Sequence, residues 1–444
     1  MRLHEQLASR RFVFLGFVFL ALLVVRGGAA QEIFSDGFES GTTCGIWSAT
    51  VTPETCTGTD SNCDGFIDEG VPWCFSVPYQ DPPDPETADL ETETTVGLVD
   101  AYILMDRSGS MNAEATAIRD NLATVAHNVT CSPAGGGSPP SCFEDLWWGV
   151  GSIGYAGPFG ESYGNHLDVQ PDPALAGPAI PTTEPGGCCD ETALLAIWSS
   201  ATGFGSPAWC SIGTSYPDRG SCTGSPAGPD GFGYPCFRRA SVRVLVVATD
   251  EAPTQTFHCP LIQAVIDTVV AMGGRIIGLV GSNATPQTTL DLEMLALGTG
   301  SVGAGGVPLV FPGDDAAAAG ALQDALLTLA TETPMDVTAL VVDDPGDDVD
   351  TVLAFVERTE TLQLGTSSCP SGLTDIDTNA DSYPDTYVGV LPGQPLCFRL
   401  ILKMNLSVSP PELELFPATL QVLRDEEAVI DAVPVTFVVP VLEP

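Results

Sequence analysis

The chain has 444 residues, 57 acidic against 15 basic, and 44% hydrophobic side chains. It is too long for one average domain and too apolar for wholesale disorder, and a net charge of −42 would repel nucleic acids and anionic lipid surfaces. A single lysine, Lys403, and three histidines beyond residue 30 (His127, His166 and His258) leave little for amine or imidazole chemistry, so carboxylates must carry whatever chemistry exists.

Arg2, Arg10 and Arg11 precede an unbroken apolar run from Phe12 to Val25, with Gly28, Ala29 and Ala30 after it. Residues 1–30 therefore read as a cleaved secretory signal, since the run falls short of the ~20 residues a membrane helix needs. The mature protein is expected to be secreted or held at the cell surface, with no integral membrane span. All 14 cysteines lie beyond this leader, an even number that predicts disulfides in an oxidising compartment.

Residues 31–79 form a small Cys-rich acidic segment with Cys44, Cys56, Cys63 and Cys74, too poor in apolar surface for a core without staples or metal. The stretch Asp81 to Thr95 is acidic and punctuated by proline, and residues 80–95 read as a solvated linker. From residue 96 strands and helices alternate. Val99 to Met105 reads as a strand, Ile118, Leu122 and Val125 as a helical stripe, Trp147 to Tyr155 as a strand and Thr192 to Ala201 as a helix. Val242 to Ala248 reads as a strand buried on both faces, followed by a helix from Pro260 with Leu261 and Val270 on its apolar side. A strand (Arg275 to Val280), a helix (Leu290 to Leu297), a strand (Val307 to Phe311) and an Ala/Leu helix (Asp315 to Thr331) complete the series. This alternation predicts an α/β domain over 96–332 with a doubly wound, mostly parallel, Rossmann-like sheet. Ser132 to Ser141, Gly157 to Gly187 and Gly203 to Cys236 read as disulfide-stapled surface insertions. Residues 333–444, with short strands between Asp/Gly/Pro clusters and no further helices, predict an all-β sandwich.

At the carboxyl end of the first sheet strand stands Asp106-Arg107-Ser108-Gly109-Ser110-Met111. Asp106, Ser108 and Ser110 offer hard oxygen ligands suited to Mg²⁺, Mn²⁺ or Ca²⁺, at the end of a parallel sheet where ligands bind. Two more polar loops fall on the same rim: Asp190-Glu191-Thr192 and Thr249-Asp250-Glu251. With these segments, DRSGSM, DETALLAIW and RVLVVATDE, the chain resembles the von Willebrand factor type A (VWA) domain and its metal-ion-dependent adhesion site over about residues 96–332. The resemblance implies a divalent cation, Mg²⁺ or Mn²⁺, held by Asp106, Ser108, Ser110, Glu191 or Thr192, and Asp250, with a partner's Asp or Glu completing the shell. The run from Gly186 to Gly203 is more similar to the integrin β-subunit and related bacterial secreted versions, which favours Glu191. Met111, Asn112 and Ala113 stand where the integrin pattern has paired aspartates.

Two weaker acidic loops follow calcium-loop spacing. Asp60, Asn62, Asp64 and Asp68, within a motif at 53–71, resemble a Cys-bearing acidic metal-binding repeat of secreted bacterial proteins, although position 12 of the loop is Val71. Asp377, Asn379, Asp381 and Asp385 repeat the spacing, with Ser382 in place of the turn glycine. Gly160-Glu161-Ser162-Tyr163-Gly164, with His166, Asp250 and His258, matches the outline of a serine hydrolase but sits in a Gly/Pro-rich stretch where the nucleophile elbow's strand and helix are not expected. The chain is thus expected to be an exported, non-enzymatic, cation-dependent adhesion protein binding a protein or matrix ligand that presents Asp or Glu. The alternative is a calcium-binding structural protein of the envelope or extracellular matrix with no specific partner, and the hydrolase comes third.

Overall fold

The computed structural model describes residues 56, 73–94, 97–139, 141–154, 163–182, 191–205, 216–239, 241–254, 259–425 and 428–441. These lie within one compact unit, Thr52–Pro444. The leader, the loop of Asp60, Asn62, Asp64 and Asp68, and residues Ser162 and His258 lie outside the described residues.

Two short strands come first, β1 (Cys74–Ser76) and β2 (Thr87–Glu93). Then β3 (Leu98–Asp106) leads into α1 (Asn112–Val129), β4 (Asp145–Ile153), β5 (Tyr163–Gln170), α2 (Pro173–Ala179) and α3 (Ala193–Thr202). The domain continues through β6 (Val242–Thr249), α4 (Ile262–Ala271), β7 (Gly274–Val280), α5 (Pro286–Gly298), β8 (Val310–Pro312) and α6 (Ala318–Glu332). Its strands form one sheet in the order β5-β4-β3-β6-β7-β8, parallel throughout except for the antiparallel edge β5.

Strand parity explains why this sheet is apolar on both faces. Val99, Ala101, Ile103 and Met105 of β3 join one core with Ile118, Leu122 and Val125 of α1 and Leu322, Leu326 and Leu329 of α6. Tyr102 and Leu104 of the same strand join the opposite core, under α3, α4 and α5. A strand whose alternate residues enter two cores reads as a continuous apolar run, which is why β3 and β6 are legible in the sequence. The helix ends follow local chemistry. Pro286 opens α5, and Thr285 accepts from the Thr288 N–H while the Thr288 hydroxyl bonds back, so α5 begins a turn earlier than its apolar pattern indicates. Leu261 and Val270, expected on the buried side of α4, are instead exposed, since Ile262, Val265, Ile266 and Val269 suffice to cover its contact.

The expected surface insertions contribute more than loops. The edge strand β5 and helix α2 come from one of them, and Tyr234 of another, with Phe237 just beyond its end, is buried in the second core. Arg238 fastens that stretch to the sheet: its backbone N–H and Nε donate to Asp100, each at 2.7 Å, and its guanidinium lies 4.2 Å from the Trp147 ring. Disulfides Cys131–Cys142 and Cys222–Cys236 close two of these stretches.

After α6 come β9 (Met335–Asp343), the single-turn α7 (Thr351–Phe355), β10 (Val356–Thr361), β11 (Asp375–Ile376), β12 (Thr386–Val390), β13 (Pro395–Leu402), β14 (Glu414–Arg424) and β15 (Ala428–Val439). They form a sandwich of two sheets, β1-β15-β14-β9-β12-β11 and β10-β13-β2. Rings cross its core, with Phe355 5.2 Å from Phe437 and Tyr387 5.3 Å from Phe398. The helix α7 is an exception to the expected all-β texture; Asp350 caps it, and it delivers Phe355 to that core.

The acidic stretch 80–95 is not a solvated linker. It contains β2, which pairs antiparallel with β13 over seven residues, from Thr87 opposite Ile401 to Glu93 opposite Pro395. Leu90 and Thr92 turn inward while Asp89, Glu91 and Glu93 face solvent, and Asp89 pairs with Arg399 at 2.6 Å. Cys74, held to Cys56 by a disulfide, begins β1, which runs parallel to β15. The sandwich is therefore built from both sides of the α/β domain in sequence, and the chain crosses between them twice.

Candidate metal centre

Three loops meet on one rim of the sheet: those that leave the carboxyl ends of β3 and β6, and the one that enters α3, which is tied to the end of β4. Asp106 ends β3, and its Oδ1 accepts the Ser108 N–H at 2.7 Å, which folds the turn back over the carboxylate. The Ser108 and Ser110 hydroxyls stand 2.9 Å apart, and Met111, 1% exposed, anchors the turn in the core before α1 begins. The loop after β7 approaches closely because Gly281 has no side chain: a Cβ there would meet the Met111 sulfur and lie 3.1 Å from Cβ of Asp250.

Asp106, Glu191 and Asp250, all buried, bring carboxylate oxygens within 4.8 Å of one another. Of the two middle-loop candidates, Glu191 faces this cluster. The Thr192 N–H and hydroxyl both reach the Gly154 carbonyl at 3.1 Å, tying the start of α3 to the end of β4. Thr249 Oγ1 lies 2.8 Å from Asp106 Oδ2 and 3.3 Å from Glu191 Oε2, and accepts the Glu251 N–H at 3.1 Å. The sequence singles out Asp250 in that turn but not Thr249, whose signal is only its place at the last residue of a buried strand.

Electrostatically the cluster is short of positive charge. Burial, then a hydrogen bond and charge repulsion from Asp106, then the charges of Glu251 and Asp250, push the Glu191 carboxyl up to about 11. Burial also raises Asp250, against a hydrogen bond from Ser110 that pulls it down and with the repulsion of Asp106 adding to the rise. Asp250 Oδ1 is buried with no hydrogen-bond partner. Three crowded carboxylates, two adjacent hydroxyls and an orphaned oxygen form an all-oxygen donor set that fits a hard divalent cation.

A neighbouring corner of the rim contrasts with this one. Glu114, in the first turn of α1 and 1% exposed, accepts three hydrogen bonds at Oε1, from the Ser282 N–H at 3.0 Å, the Ser282 hydroxyl at 2.8 Å and the Asp315 N–H at 3.3 Å, while its Oε2 is buried without a hydrogen-bond partner. It ties together the loops after β7 and before α6. The sequence pattern does not mark it, because its donors come from residues 168 and 201 positions away.

The other predicted sites differ. In the Asp377–Asp385 loop, Asp377 accepts the Ala380, Asp381 and Ser382 N–H groups, Asn379 accepts from Asp381, and Asp381 from Tyr383. Asp385 turns away to Thr378 and Thr386. Glu91, Cys369 and Cys397 also lie close together, but the two cysteines are joined as a disulfide and are not ligands. After position 162 comes the strand β5, where a nucleophile elbow needs a helix, and His166 Nε2 lies 2.9 Å from Ser152 Oγ. No described cysteine is free, and no described helix is long and apolar enough to cross a membrane.

No family model matches the chain, and no curated protein matches it. Among solved structures it is similar to a von Willebrand factor type A protein from Catenulispora acidiphila (11% identity, 82% of this chain and 75% of that one, TM-score 0.36). It is also similar to proximal thread matrix protein 1 of the mussel byssus (13% identity, 57% and 51% covered, TM-score 0.35). A third is the pilus adhesin SpaC from Lactobacillus rhamnosus GG in its open conformation (12% identity, 79% and 45% covered, TM-score 0.32). The chain spans about half the length of the byssus protein and less than half that of the pilus adhesin. Likenesses of this size carry nothing about site or partner, so the geometry must stand alone.

Proposed function

We propose that this is an exported binding protein whose α/β domain holds a divalent cation, Mg²⁺ or Mn²⁺, at the sheet rim and through it captures a carboxylate of a protein or matrix partner. Asp106, Ser108, Ser110, Glu191 and Asp250 would hold the ion, with Thr249 orienting Asp106 and Glu191. The cation would supply the Lewis acidity that lets an all-acidic rim accept an Asp or Glu side chain, which the bare carboxylates would repel. The observation that carries the reading is the convergence of three buried carboxylates, with Asp250 Oδ1 left without a donor. Disulfide bonding of the chain fits an oxidising, extracellular setting.

The test is calorimetry and melting of the chelator-stripped full chain with Mg²⁺, Mn²⁺ and Ca²⁺, beside Asp106→Ala, followed by binding of Asp- and Glu-bearing peptides with and without the ion. A site of micromolar to millimolar affinity that the substitution weakens by two orders of magnitude or more, and peptide binding that chelator abolishes, are expected. Binding left unchanged by Asp106→Ala would remove the rim from consideration. Ion binding with no carboxylate ligand would leave a calcium- or magnesium-stabilised structural protein instead.

A further inference from the structure

Helix α5 is apolar on two faces, and the fold uses one of them. Leu292 and Leu295, both fully buried, join the second core beneath it. Leu290, Met294 and Leu297, spaced i, i+4 and i+7, form a second stripe on its outer side, and each stays about half exposed, at 53%, 48% and 51%. Opposite this stripe stands α4, and the two helices meet where Gly298 has no side chain: a Cβ there would lie 2.6 Å from Ile266 Cδ1. Around that contact Leu290, Met294 and Leu297 on one wall and Gln263 on the other line an open groove of about 500 Å³. A helix that is apolar all round is expected inside a protein, so the outer stripe serves something other than this fold.

The charges at the groove select its occupant. Glu293 lines it from α5, and the exposed Asp267 of α4 accepts from Gln263 Nε2 at 2.9 Å. Asp291, the other acid of α5, is buried and bonded to Thr254. Neither helix carries a lysine, arginine or histidine. Arg275, beyond the end of α5, is bonded to the Thr299 carbonyl and to Asp425, and His258, ahead of α4, lies outside the described residues. A second copy of the chain would bring the same two acids against these, and residues 31–72 of the chain itself hold acids but no lysine or arginine. We infer that the groove docks an amphipathic helix of a partner protein, whose apolar side chains pack on Leu290, Met294 and Leu297 and whose flanking lysines or arginines face Asp267 and Glu293. A net charge of −42 steers such a partner in and repels an acidic one. The groove shares no residue with the cation rim and does not depend on the proposed adhesive function.

The experiment is fluorescence anisotropy of labelled peptides, about five helical turns long, with the full chain at pH 8, where an ordinary histidine is uncharged, and with divalent ions held constant. The probes are a leucine/lysine peptide with its leucines on one helix face, a peptide of the same composition with the leucines scattered, and a leucine/glutamate peptide with the first pattern. The patterned leucine/lysine peptide is expected to bind with a Kd of about 1–50 μM, the scattered one at least about tenfold more weakly, and the glutamate one not at all. Replacing Leu290→Ser and Met294→Ser together should weaken the patterned peptide by roughly tenfold and leave the scattered one unchanged, and Glu293→Lys should weaken it by about threefold. Should the double variant not fold, hydrogen exchange of the parent decides, and added protection confined to α4 and α5 supports the groove. Equal binding of the two leucine/lysine peptides, unchanged affinity in the serine variant, or protection elsewhere means charge attraction alone and overturns the site. Zwitterionic vesicles that displace the peptide, or a dimer of the parent that the serine variant dissolves, overturn it in favour of a lipid surface or a second copy.

Discussion

Glu114 and Glu191 are two buried glutamates on the same rim, and they differ in what surrounds them. Glu114 receives three donors from the loops it joins, and although burial acts to raise its carboxyl, the Ser282 and Asp315 bonds hold it below its ordinary value. Glu191 faces Asp106, Asp250 and Glu251 and is held far above that value. Both side chains are shielded from solvent, yet they shift in opposite directions, because Glu191 is the more deeply desolvated of the two and lacks the N–H and O–H donors that Glu114 receives. A carboxylate with donors is a structural tie, whereas one surrounded by other carboxylates requires a proton or a cation. The Asp377–Asp385 loop belongs with Glu114 in this respect, because its own backbone supplies the donors.

The largest expected effect comes from breaking the Glu191 side. Glu191→Gln weakens divalent-cation binding by at least about tenfold, yet stabilises the chelated chain by roughly 1–3 kcal/mol at neutral pH. The sign follows from linkage: a carboxyl raised in the folded state contributes stability below its unfolded value, near 4.5, that is lost as pH rises toward the folded one. The gain from Gln should therefore be near zero at pH 4 and grow toward pH 8 in melting curves with chelator. A variant that loses both affinity and metal-free stability would contradict the assignment.

Glu114→Gln should do the reverse. Its carboxylate is stabilised in the folded state, so the stability it contributes is full above pH 4.5 and fades as pH falls through its lowered value. We expect a loss of about 1.5–3 kcal/mol at pH 7, measured by urea unfolding, that closes in acid. Cation affinity should change less than in Glu191→Gln. The smallest effect is assigned to Asp377→Asn, which keeps an acceptor oxygen on the loop N–H groups: under about 0.5 kcal/mol in stability without calcium, and no change in Mg²⁺ or Mn²⁺ binding at the rim. Loss of rim binding in that variant would show that exposed acids far from the rim contribute to it.

The acidic segment before the α/β domain shows why composition misleads when strands are amphipathic. In β2 the alternation of Ala88, Leu90 and Thr92 with Asp89, Glu91 and Glu93 is a period-two pattern, but only one of the inward residues is large and apolar. Its partner β13 lies about three hundred residues later, so nothing local identifies it as a strand. The edge strand β5 is obscured for a similar reason, because the Gly- and Pro-rich sequence around it resembles a surface loop.

The sequence by itself determined the α/β alternation and the DRSGSM turn. Each depends on residues close in the chain: an apolar run buried on two faces, a helix stripe, a turn whose Ser108 N–H closes on Asp106 two positions earlier. Tertiary structure alone decided which carboxylates lack donors, that Glu191 lies with Asp106 and Asp250, and that Glu114 gains its donors from two distant loops. Those outcomes depend on hydrogen bonds and charges brought together across loops and between domains, and a buried group's state is set by its neighbours in space.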